Sequence, residues 1–148
     1  MLLYDSKGRF LLQQRDDEKD APKIENPETW GLFGGSIKKQ ELPLICLKRE
    51  LDEEINLDYK SLKKSRQISK KPLLKTPKHY NFIYLAKFVG RKKYLCQHEG
   101  QGMGWFSQNE IHQLKLAVED RILFAEFFHD YKWKYGKYLK VAQKINYL

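Results

Sequence analysis

Apolar residues recur at helical spacing shortly before the middle of the chain, with polar residues between them. They form one stripe that consists of Leu44, Leu47, Leu51 and Ile55, with Ile45 beside it. Such a stripe predicts an amphipathic helix whose apolar face packs against a sheet. Pro43 suits the first turn of this helix, because its missing amide hydrogen is not needed there.

A second pattern, of period two, predicts the clearest strand of the chain, from His79 to Val89. On one face lie Phe82, Tyr84, Ala86 and Phe88, and on the other lie Ile83, Leu85 and Val89. Because both faces are apolar, we expect a central strand that is covered on each side.

Two apolar segments, 1–4 and 10–15, flank a turn signal that runs from Asp5 to Gly8. This order predicts a β-hairpin whose second strand ends at Arg15. The first strand is short, so we expect either an abbreviated strand or a start that lies further upstream.

Weaker patterns predict two more strands. One is expected around Ser65 to Ser69, followed by a loop that holds Pro72 and Pro77, and another begins at Tyr94 to Cys96. An aromatic strand is expected after Gly102.

The C-terminal part of the chain has mainly helical patterns. Ser107 and Glu110 match a capping box that opens a short helix. A longer helix is expected from Glu119 to Tyr135, with an apolar face from Ile122, Leu123, Ala125, Phe127 and Phe128. The tail from Tyr138 to Leu148 also has near-helical spacing.

Three glutamates crowd a second face of the first predicted helix. Glu50, Glu53 and Glu54 are spaced i, i+3 and i+4, so their carboxylates are neighbours. Like charges at this spacing weaken a helix unless a positive group lies against them. A divalent cation with oxygen ligands is the natural candidate.

The positions around these acids resemble the signature of the Nudix hydrolases. The matching residues are Gly35, Glu41, Arg49, Glu50, Leu51, Glu53, Glu54 and Leu57. Asn56 stands where the family has glycine, and asparagine is the next most tolerant residue for a left-handed helix end. The resemblance implies an α/β (α+β) fold, an α/β/α sandwich in which helices flank a mixed sheet.

The resemblance also implies roles for the motif residues. Glu50, Glu53 and Glu54 are expected to hold Mg²⁺, or Mn²⁺, together with a backbone carbonyl of Gly34 or Gly35. Arg49 is expected to fix Glu50 by a charge-assisted contact. Glu41 is expected to brace the loop or assist the metal shell, and Asn56 to end the helix.

Two further segments are similar to MutT-like members of the family. Glu99-Gly100-Gln101 resembles a segment whose glutamate lies near the metal, so Glu99 is expected to act as general base. Arg15 is expected to bind substrate phosphates, although a solvated arginine at a strand end is equally compatible with the sequence. Trp30 precedes the paired glycines and is expected in the core.

The implied activity is hydrolysis of a nucleoside triphosphate, or a related nucleoside diphosphate derivative, at a diphosphate linkage. ADP-ribose, a nucleotide sugar and an RNA 5′ end remain open as substrates, as does a non-catalytic sensor of nucleotides or RNA. Pro72 lies beyond Leu57 much as a proline does in ADP-ribose-cleaving members, and the basic segment 58–78 favours RNA.

Composition bears on the partners, the cellular compartment and the assembly that we expect. The net charge is +9, which suits polyanionic partners, but the charges are spread along the chain. The sequence has neither a membrane-spanning run nor a signal peptide, and its two cysteines have no metal-binding spacing. We expect a cytoplasmic monomer or homodimer with one domain over 1–148, in which 136–148 is a possible extension.

Overall fold

The computed structural model describes residues 1–16, 27–72, 79–134 and 137–140. The strands and helices are β1 (Leu2–Tyr4), β2 (Phe10–Gln14), β3 (Trp30–Gly31), α1 (Pro43–Ile55), β4 (Leu62–Pro72), β5 (Tyr80–Phe88), β6 (Gly102–Phe106), α2 (Gln108–Ile111), α3 (Val118–Asp130), β7 (Tyr131–Lys134) and β8 (Lys137–Lys140). Two 3₁₀ turns, Tyr59–Ser61 and Lys92–Tyr94, precede β4 and β6.

Six strands form one mixed sheet in the order β3-β2-β1-β5-β4, and β6 pairs with β2. The central pair, β1 and β5, is parallel, with Leu2 opposite Leu85, and the other pairs are antiparallel. The predicted hairpin is present, with Tyr4 opposite Phe10. β7 and β8 form a separate hairpin.

Both faces of the sheet are covered, as the apolar pattern of β5 predicts. On one face Leu47, Leu51 and Ile55 of α1 pack in a cluster with Tyr84, Ala86 and Phe88. On the other face Phe124 and Phe127 of α3 pack in a cluster with Phe10 and Leu85. The layers are therefore helix, sheet and helix, and Val89 falls just outside the covered strand with 44% of its surface exposed.

Helix α1 begins at Pro43 and ends before Asn56, as predicted. Asn56 adopts the left-handed conformation, with φ 52° and ψ 36°, and its N–H donates to the Asp52 carbonyl at 2.9 Å. This is the conformation that the family's glycine would supply. Ile45, beside the apolar stripe, is 50% exposed and lies outside the packed face.

The basic strand is longer than predicted. β4 extends from Leu62 to Pro72, and Pro72 is its last residue, opposite Tyr80, and does not lie in a loop. The strand lies at an edge of the sheet, where proline and lysine are tolerated because the outer side needs no backbone partner. Pro77 lies outside the described residues.

The strand predicted from Tyr94 to Cys96 is absent from the described part of the chain. Lys92–Tyr94 forms a 3₁₀ turn, and the Cys96 N–H donates to the Ile55 carbonyl at 3.1 Å. This segment therefore bonds to the end of α1, not to a strand. Both cysteines are free thiols, Cys46 buried and Cys96 exposed.

The C-terminal helix is shorter than predicted. α3 ends at Asp130, and residues 131–134 pair with residues 137–140 as an antiparallel hairpin. Backbone pairing between two segments rich in aromatic residues outweighs their helical periodicity. The helical prediction for the tail is wrong at 137–140, and residues 141–148 lie outside the described residues.

Two smaller predictions are confirmed. The capping box opens α2, with the Glu110 N–H donating to the Ser107 hydroxyl and the Ser107 N–H donating to the Glu110 carboxylate. Trp30 is half-buried, and its ring lies 4.7 Å from that of Phe106. None of the helices in the described residues is both long and apolar enough to span a membrane.

Candidate active site

A polar cleft lies where β2 ends, between α1 and the loop that precedes β6. Its volume is about 420 Å³, including the solvent at its open side. The lining residues are Gln13, Arg15, Asp16, Gly34, Glu54, Glu99 and Gly100. The fold thus brings together Arg15, Glu54 and Glu99, three of the predicted site residues, from distant parts of the sequence.

Arg49 organises the acids of α1. Its guanidinium donates to both carboxylate oxygens of Glu41, at 2.9 and 3.0 Å, and to Glu53 at 3.0 Å. It also donates to Glu50 and, at 3.3 Å, to the carbonyl of Ser36. A planar group with five N–H donors can make several such bonds at once.

Glu41 joins this arginine to the glycine-rich loop. Besides Arg49, it accepts a hydrogen bond from the Lys38 N–H at 2.9 Å. The Arg49 hydrogen bond, with help from Lys38, lowers the pKa of Glu41 to about 2. Glu41 therefore stays ionised at neutral pH and connects the loop to the helix.

Glu50 lies directly against the backbone of Gly35. A Cβ at Gly35 would lie 2.3 Å from the Glu50 carboxyl carbon, much closer than van der Waals contact. Any other residue at this position would displace the carboxylate. The glycine is therefore needed for close approach between an acid of α1 and the loop.

Glu54 is the buried member of the acid cluster, with 8% of its surface exposed. Its carboxylate accepts a hydrogen bond from the Gly34 N–H at 3.2 Å. Burial raises the pKa of Glu54 to about 7, the Gly34 hydrogen bond opposes the rise, and the Glu50 and Glu99 carboxylates add to it. Glu54 thus lies within the electrostatic reach of two further acids.

The loop that carries Glu99 is held by a side chain that the sequence analysis missed. Gln97 Nε2 donates to the carbonyls of Glu99, at 2.6 Å, and Gly102, at 3.0 Å. Gly100 has a φ of +83°, and a Cβ there would lie 2.5 Å from the Gln14 carbonyl oxygen. The loop is thereby pressed onto the end of β2.

The same loop is tied to the last turn of α1. The His98 N–H donates to the carbonyl of Glu54 at 2.9 Å, next to the Cys96 bond to Ile55. Glu54 and Glu99 therefore belong to one hydrogen-bonded unit. These bonds use backbone amides, and no side-chain pattern in the sequence predicts them.

Arg15 carries an unpaired donor. Its Nε is buried and has no hydrogen-bond partner among the described residues. Such a donor costs free energy unless a ligand or water pairs with it. The guanidinium lies at the cleft, so an anionic ligand would satisfy it.

Asp120, in the first turn of α3, is a second residue that the sequence analysis missed. Its Oδ2 accepts a hydrogen bond from the Leu32 N–H at 3.2 Å. A Cβ on Gly31 would lie 2.7 Å from this oxygen and 3.7 Å from Arg15 Nε, so the acid and the arginine approach the same glycine. Burial raises the pKa of Asp120, while Leu32 and Arg15 oppose the rise.

Asp120 also borders a second depression, between β5 and α3, with a volume of about 480 Å³ including open solvent. Apolar side chains of Ile83, Ile122 and Leu123 line it together with polar ones. At its rim the Asn81 amide donates to Glu119 at 3.0 Å, and Lys71 pairs with Glu126.

The donor set fits a hard divalent cation. The candidate ligands are carboxylates of Glu50, Glu53 and Glu54 and a carbonyl at Gly34 or Gly35, all oxygen donors of the kind that Mg²⁺ and Mn²⁺ prefer. Within the residues that the structure describes, no three acidic, histidine or cysteine side chains already converge on one point. Glu50 and Glu53 instead share the Arg49 guanidinium.

Comparisons with solved structures agree with this fold. The chain is similar to a Nudix hydrolase from M. smegmatis, RenU, at 17% identity over 86% of this chain and 80% of that one, with a TM-score of 0.67. It is also similar to a C. elegans Ap4A hydrolase, at 19% identity over 86% and 92%, with a TM-score of 0.63. A MutT protein from Methanosarcina mazei Go1 aligns at 21% identity over 86% and 88%, with a TM-score of 0.61.

Identities of this size establish a shared fold. A comparison with curated proteins gives no match. The family model of the NUDIX domain, however, matches residues 1–127, which include the signature residues on α1 and the loop around Glu99. The chain therefore belongs to the Nudix hydrolase family.

Proposed function

We propose that the protein is a Mg²⁺-dependent hydrolase that cleaves the diphosphate linkage of a nucleoside triphosphate or a related nucleoside diphosphate derivative. The observation that carries this proposal is the meeting of Arg15, Glu54 and Glu99 in one cleft beside the acids of α1. A guanidinium whose buried Nε has no partner among the described residues and a cluster of carboxylates suit a polyphosphate that binds through a divalent cation.

Each part of the cleft has a proposed task. The unpaired Nε of Arg15 binds a phosphate oxygen of the substrate. Glu50, Glu53 and Glu54, with a carbonyl of Gly34 or Gly35, hold the cation. Arg49, paired with Glu41, keeps Glu50 and Glu53 in place, and the Gly34 N–H keeps Glu54 against the loop. When bound, a divalent cation neutralises phosphate charge and lowers the pKa of its water ligands.

Glu99 is proposed as the general base that accepts a proton from the attacking water. It lines the cleft, and Gln97 and the bond between His98 and Glu54 fix its backbone. A general base must reach the water from a fixed position, so the bonds that hold this loop bear on the rate.

The depression between β5 and α3 is proposed to take the group attached to the phosphates. Asp120 borders this depression and approaches Arg15 near Gly31, so a ligand that spans both would place phosphates at the arginine. Apolar walls with a few polar groups suit a flat heterocycle. Three proteins of similar structure, an Ap4A hydrolase, a MutT protein and a dihydroneopterin triphosphate pyrophosphohydrolase, are named for nucleotide-like chemistry, which supports this proposal.

The test is product release from a panel of compounds with Mg²⁺ or Mn²⁺. The panel contains NTPs, dNTPs, an oxidised dGTP, ADP-ribose, nucleotide sugars and a 5′-triphosphate RNA. We expect metal-dependent turnover of at least one class, with a nucleoside monophosphate and pyrophosphate as products of a triphosphate. Full activity of the Glu53→Gln variant would contradict the proposed role of the acids.

Two alternatives keep specific support. An RNA 5′ end is favoured by the basic residues on β4, most of which are exposed. ADP-ribose stays open as well, since Pro72 ends β4 and lines the depression between β5 and α3. A non-catalytic sensor would bind these compounds without turnover, and the complete set of acids argues against it.

The domain organisation, the compartment and the assembly of the protein are also proposals. We propose a single domain over 1–148, with 136–148 as an extension, that acts in the cytoplasm as a monomer or homodimer. The two free thiols suit a reducing compartment.

A further inference from the structure

The outer strand of the sheet concentrates positive charge. β4 contains five basic residues and no acidic one among its 11 residues. The exposed ones are Lys63, Lys64, Arg66, Lys70 and Lys71. Lys60, in the turn before the strand, is exposed as well.

Two of these lysines have no acidic partner among the described residues. Lys71 pairs with Glu126, but no carboxylate of the described residues lies within ion-pair distance of Lys63 or Lys70. Lys63 lies directly opposite Lys87 on β5. Like charges at opposed positions of a sheet destabilise it, so a negatively charged ligand would relieve this repulsion.

Aromatic rings accompany the lysines. Lys70 Nζ lies 4.7 Å from the ring centre of Tyr80 and 5.4 Å from that of Phe82. Tyr80 is 49% exposed, so part of its ring is free for another planar group. On α1, Lys48 Nζ lies 4.3 Å from the ring centre of Tyr59, just before β4. A lysine beside an exposed ring, as at Lys70 and Tyr80, is the combination with which proteins hold single-stranded nucleic acids.

The sheet topology places one end of this edge near the cleft. β1 and β2 are antiparallel, so the start of β1 lies beside the end of β2, where Arg15 follows. β5 runs parallel to β1, with Leu2 opposite Leu85, and therefore begins at the same side. The end of β4, opposite Tyr80 and Phe82, is on this side too, three strand spacings or roughly 14 Å from β2.

Lysines on an edge strand also prevent pairing between sheet edges. That role requires charge alone, and it makes no use of exposed rings or of a position near the cleft. Both features are present here, because Tyr80 is exposed beside Lys70 and the end of β4 lies roughly 14 Å from β2.

We propose that the β4 edge, defined as Lys60, Lys63, Lys70 and Tyr80, binds the backbone and bases of a single-stranded nucleic acid whose 5′ end enters the cleft. The charges and the rings described above support binding along this edge. The placement of the 5′ end rests on the proposed hydrolase function and narrows its substrate class to polynucleotides with a 5′-polyphosphate.

The first test measures binding without hydrolysis. A fluorescent single-stranded RNA with a 5′-hydroxyl is titrated with the protein at several salt concentrations, and anisotropy reports binding. The edge variant Lys60→Gln/Lys63→Gln/Lys70→Gln is compared with a control variant that also loses three exposed lysines, Lys7→Gln/Lys93→Gln/Lys115→Gln. We expect the edge variant alone to flatten the slope of log K against log salt concentration by about 2, since each lost phosphate contact contributes about 0.7.

The second test addresses the ring. Tyr80→Ala should weaken RNA binding by about tenfold, because one stacked base is lost. The separate variant Tyr80→Phe keeps the ring and should bind RNA like the wild type. Tyr94→Ala, at another exposed tyrosine, is the control and should bind like the wild type. Equal losses in the edge and control variants, or no RNA binding by the wild type, would overturn the proposal.

The third test connects the edge to the cleft. The edge variant should lower kcat/KM for a 5′-triphosphate RNA and leave kcat/KM for a mononucleotide unchanged. Single-stranded RNA and DNA should both bind better than a duplex, and preference for the duplex would contradict the stacking argument. Because the first test needs no turnover, it can succeed even if the hydrolase proposal fails, and the two failures are distinguishable.

Discussion

The acids of α1 and the lysines of β4 are two charged regions of the described residues that differ in their partners. Arg49 donates to Glu50 and Glu53, and the Gly34 N–H donates to Glu54, so the positions of these acids are fixed. Lys63 on β4 faces another lysine, and Lys70 lies over aromatic rings. Charged side chains that pair within the fold are held in fixed positions, as an active site requires. Charged side chains without an acidic partner are available to bind a ligand of opposite charge.

The largest effect that tests this comparison is expected at Glu54. Glu54→Gln keeps the shape of the side chain but removes a charge that the Gly34 N–H and the neighbouring acids surround. We expect loss of turnover by at least about a hundredfold, since groups that merely orient metal ligands already contribute 10- to 100-fold. Steady-state kinetics with Mg²⁺ gives the result.

A matched control is available on the same helix. Asp52 is exposed and lies outside the cleft, so Asp52→Asn removes one acid from α1 without touching the site. Equal losses in both variants would show that the total charge of the helix matters, and not the position of Glu54.

The next effect in size is expected at Arg49, which holds both sides of the acid cluster. Arg49→Lys keeps the charge but cannot donate to Glu41, Glu50 and Glu53 from one planar group. We expect turnover to fall roughly 10- to 100-fold, with weaker Mg²⁺ binding in a titration calorimeter. Wild-type metal affinity in this variant would mean that charge alone organises the acids.

A smaller loss is expected at Gln97, a positioning residue for Glu99. Gln97→Ala removes two hydrogen bonds that hold the loop, at the carbonyls of Glu99 and Gly102. At about 1 kcal/mol per bond, kcat should fall by roughly tenfold or more with little change in KM. The pH–rate profile should also change on its acidic limb; a uniform loss at every pH would indicate a merely structural role.

The smallest effect concerns Asp5, a buried acid that the fold pairs with cations far from the cleft. Burial alone would raise the pKa of Asp5, but hydrogen bonds from Lys92 and Arg9 outweigh it and lower the pKa below its usual 3.8. A lowered pKa means that Asp5 stabilises the fold above pH 3.8 and that this contribution is lost as the pH falls through the folded-state value.

Urea unfolding at about pH 6 and about pH 3 checks this prediction. The wild type should lose more unfolding free energy between these pH values than Asp5→Asn, which has no proton to gain. An identical loss in the two proteins would show that Lys92 and Arg9 do not stabilise the ionised form.

The contacts between α1 and the loop before it follow from local sequence, because Gly35, Arg49 and Glu54 lie in one short segment. The roles of these residues stay predictions. Asn56 ends α1 as predicted, since its conformation depends on local backbone preference. The sequence also predicts which residues of β5 face each helix layer, because side chains alternate between the two faces of a strand.

What the sequence does not predict depends on contacts between distant segments. Gln97 and Asp120 act through backbone atoms of Glu99 and Leu32, and such bonds leave no periodic pattern. Residues 131–134 look helical by spacing, yet pairing with 137–140 makes them a strand. The sequence does not predict the full length of β4, because a lysine-rich edge strand resembles a loop in composition.

The most direct test of the central claim compares the wild type with the Glu50→Gln/Glu53→Gln/Glu54→Gln variant on the same nucleotide panel, with and without Mg²⁺. We predict metal-dependent release of a phosphate-bearing product by the wild type and none above background by the variant, with both proteins folded by circular dichroism. Turnover by the variant at the wild-type rate, or tight nucleotide binding by the wild type with no product at all, would contradict it.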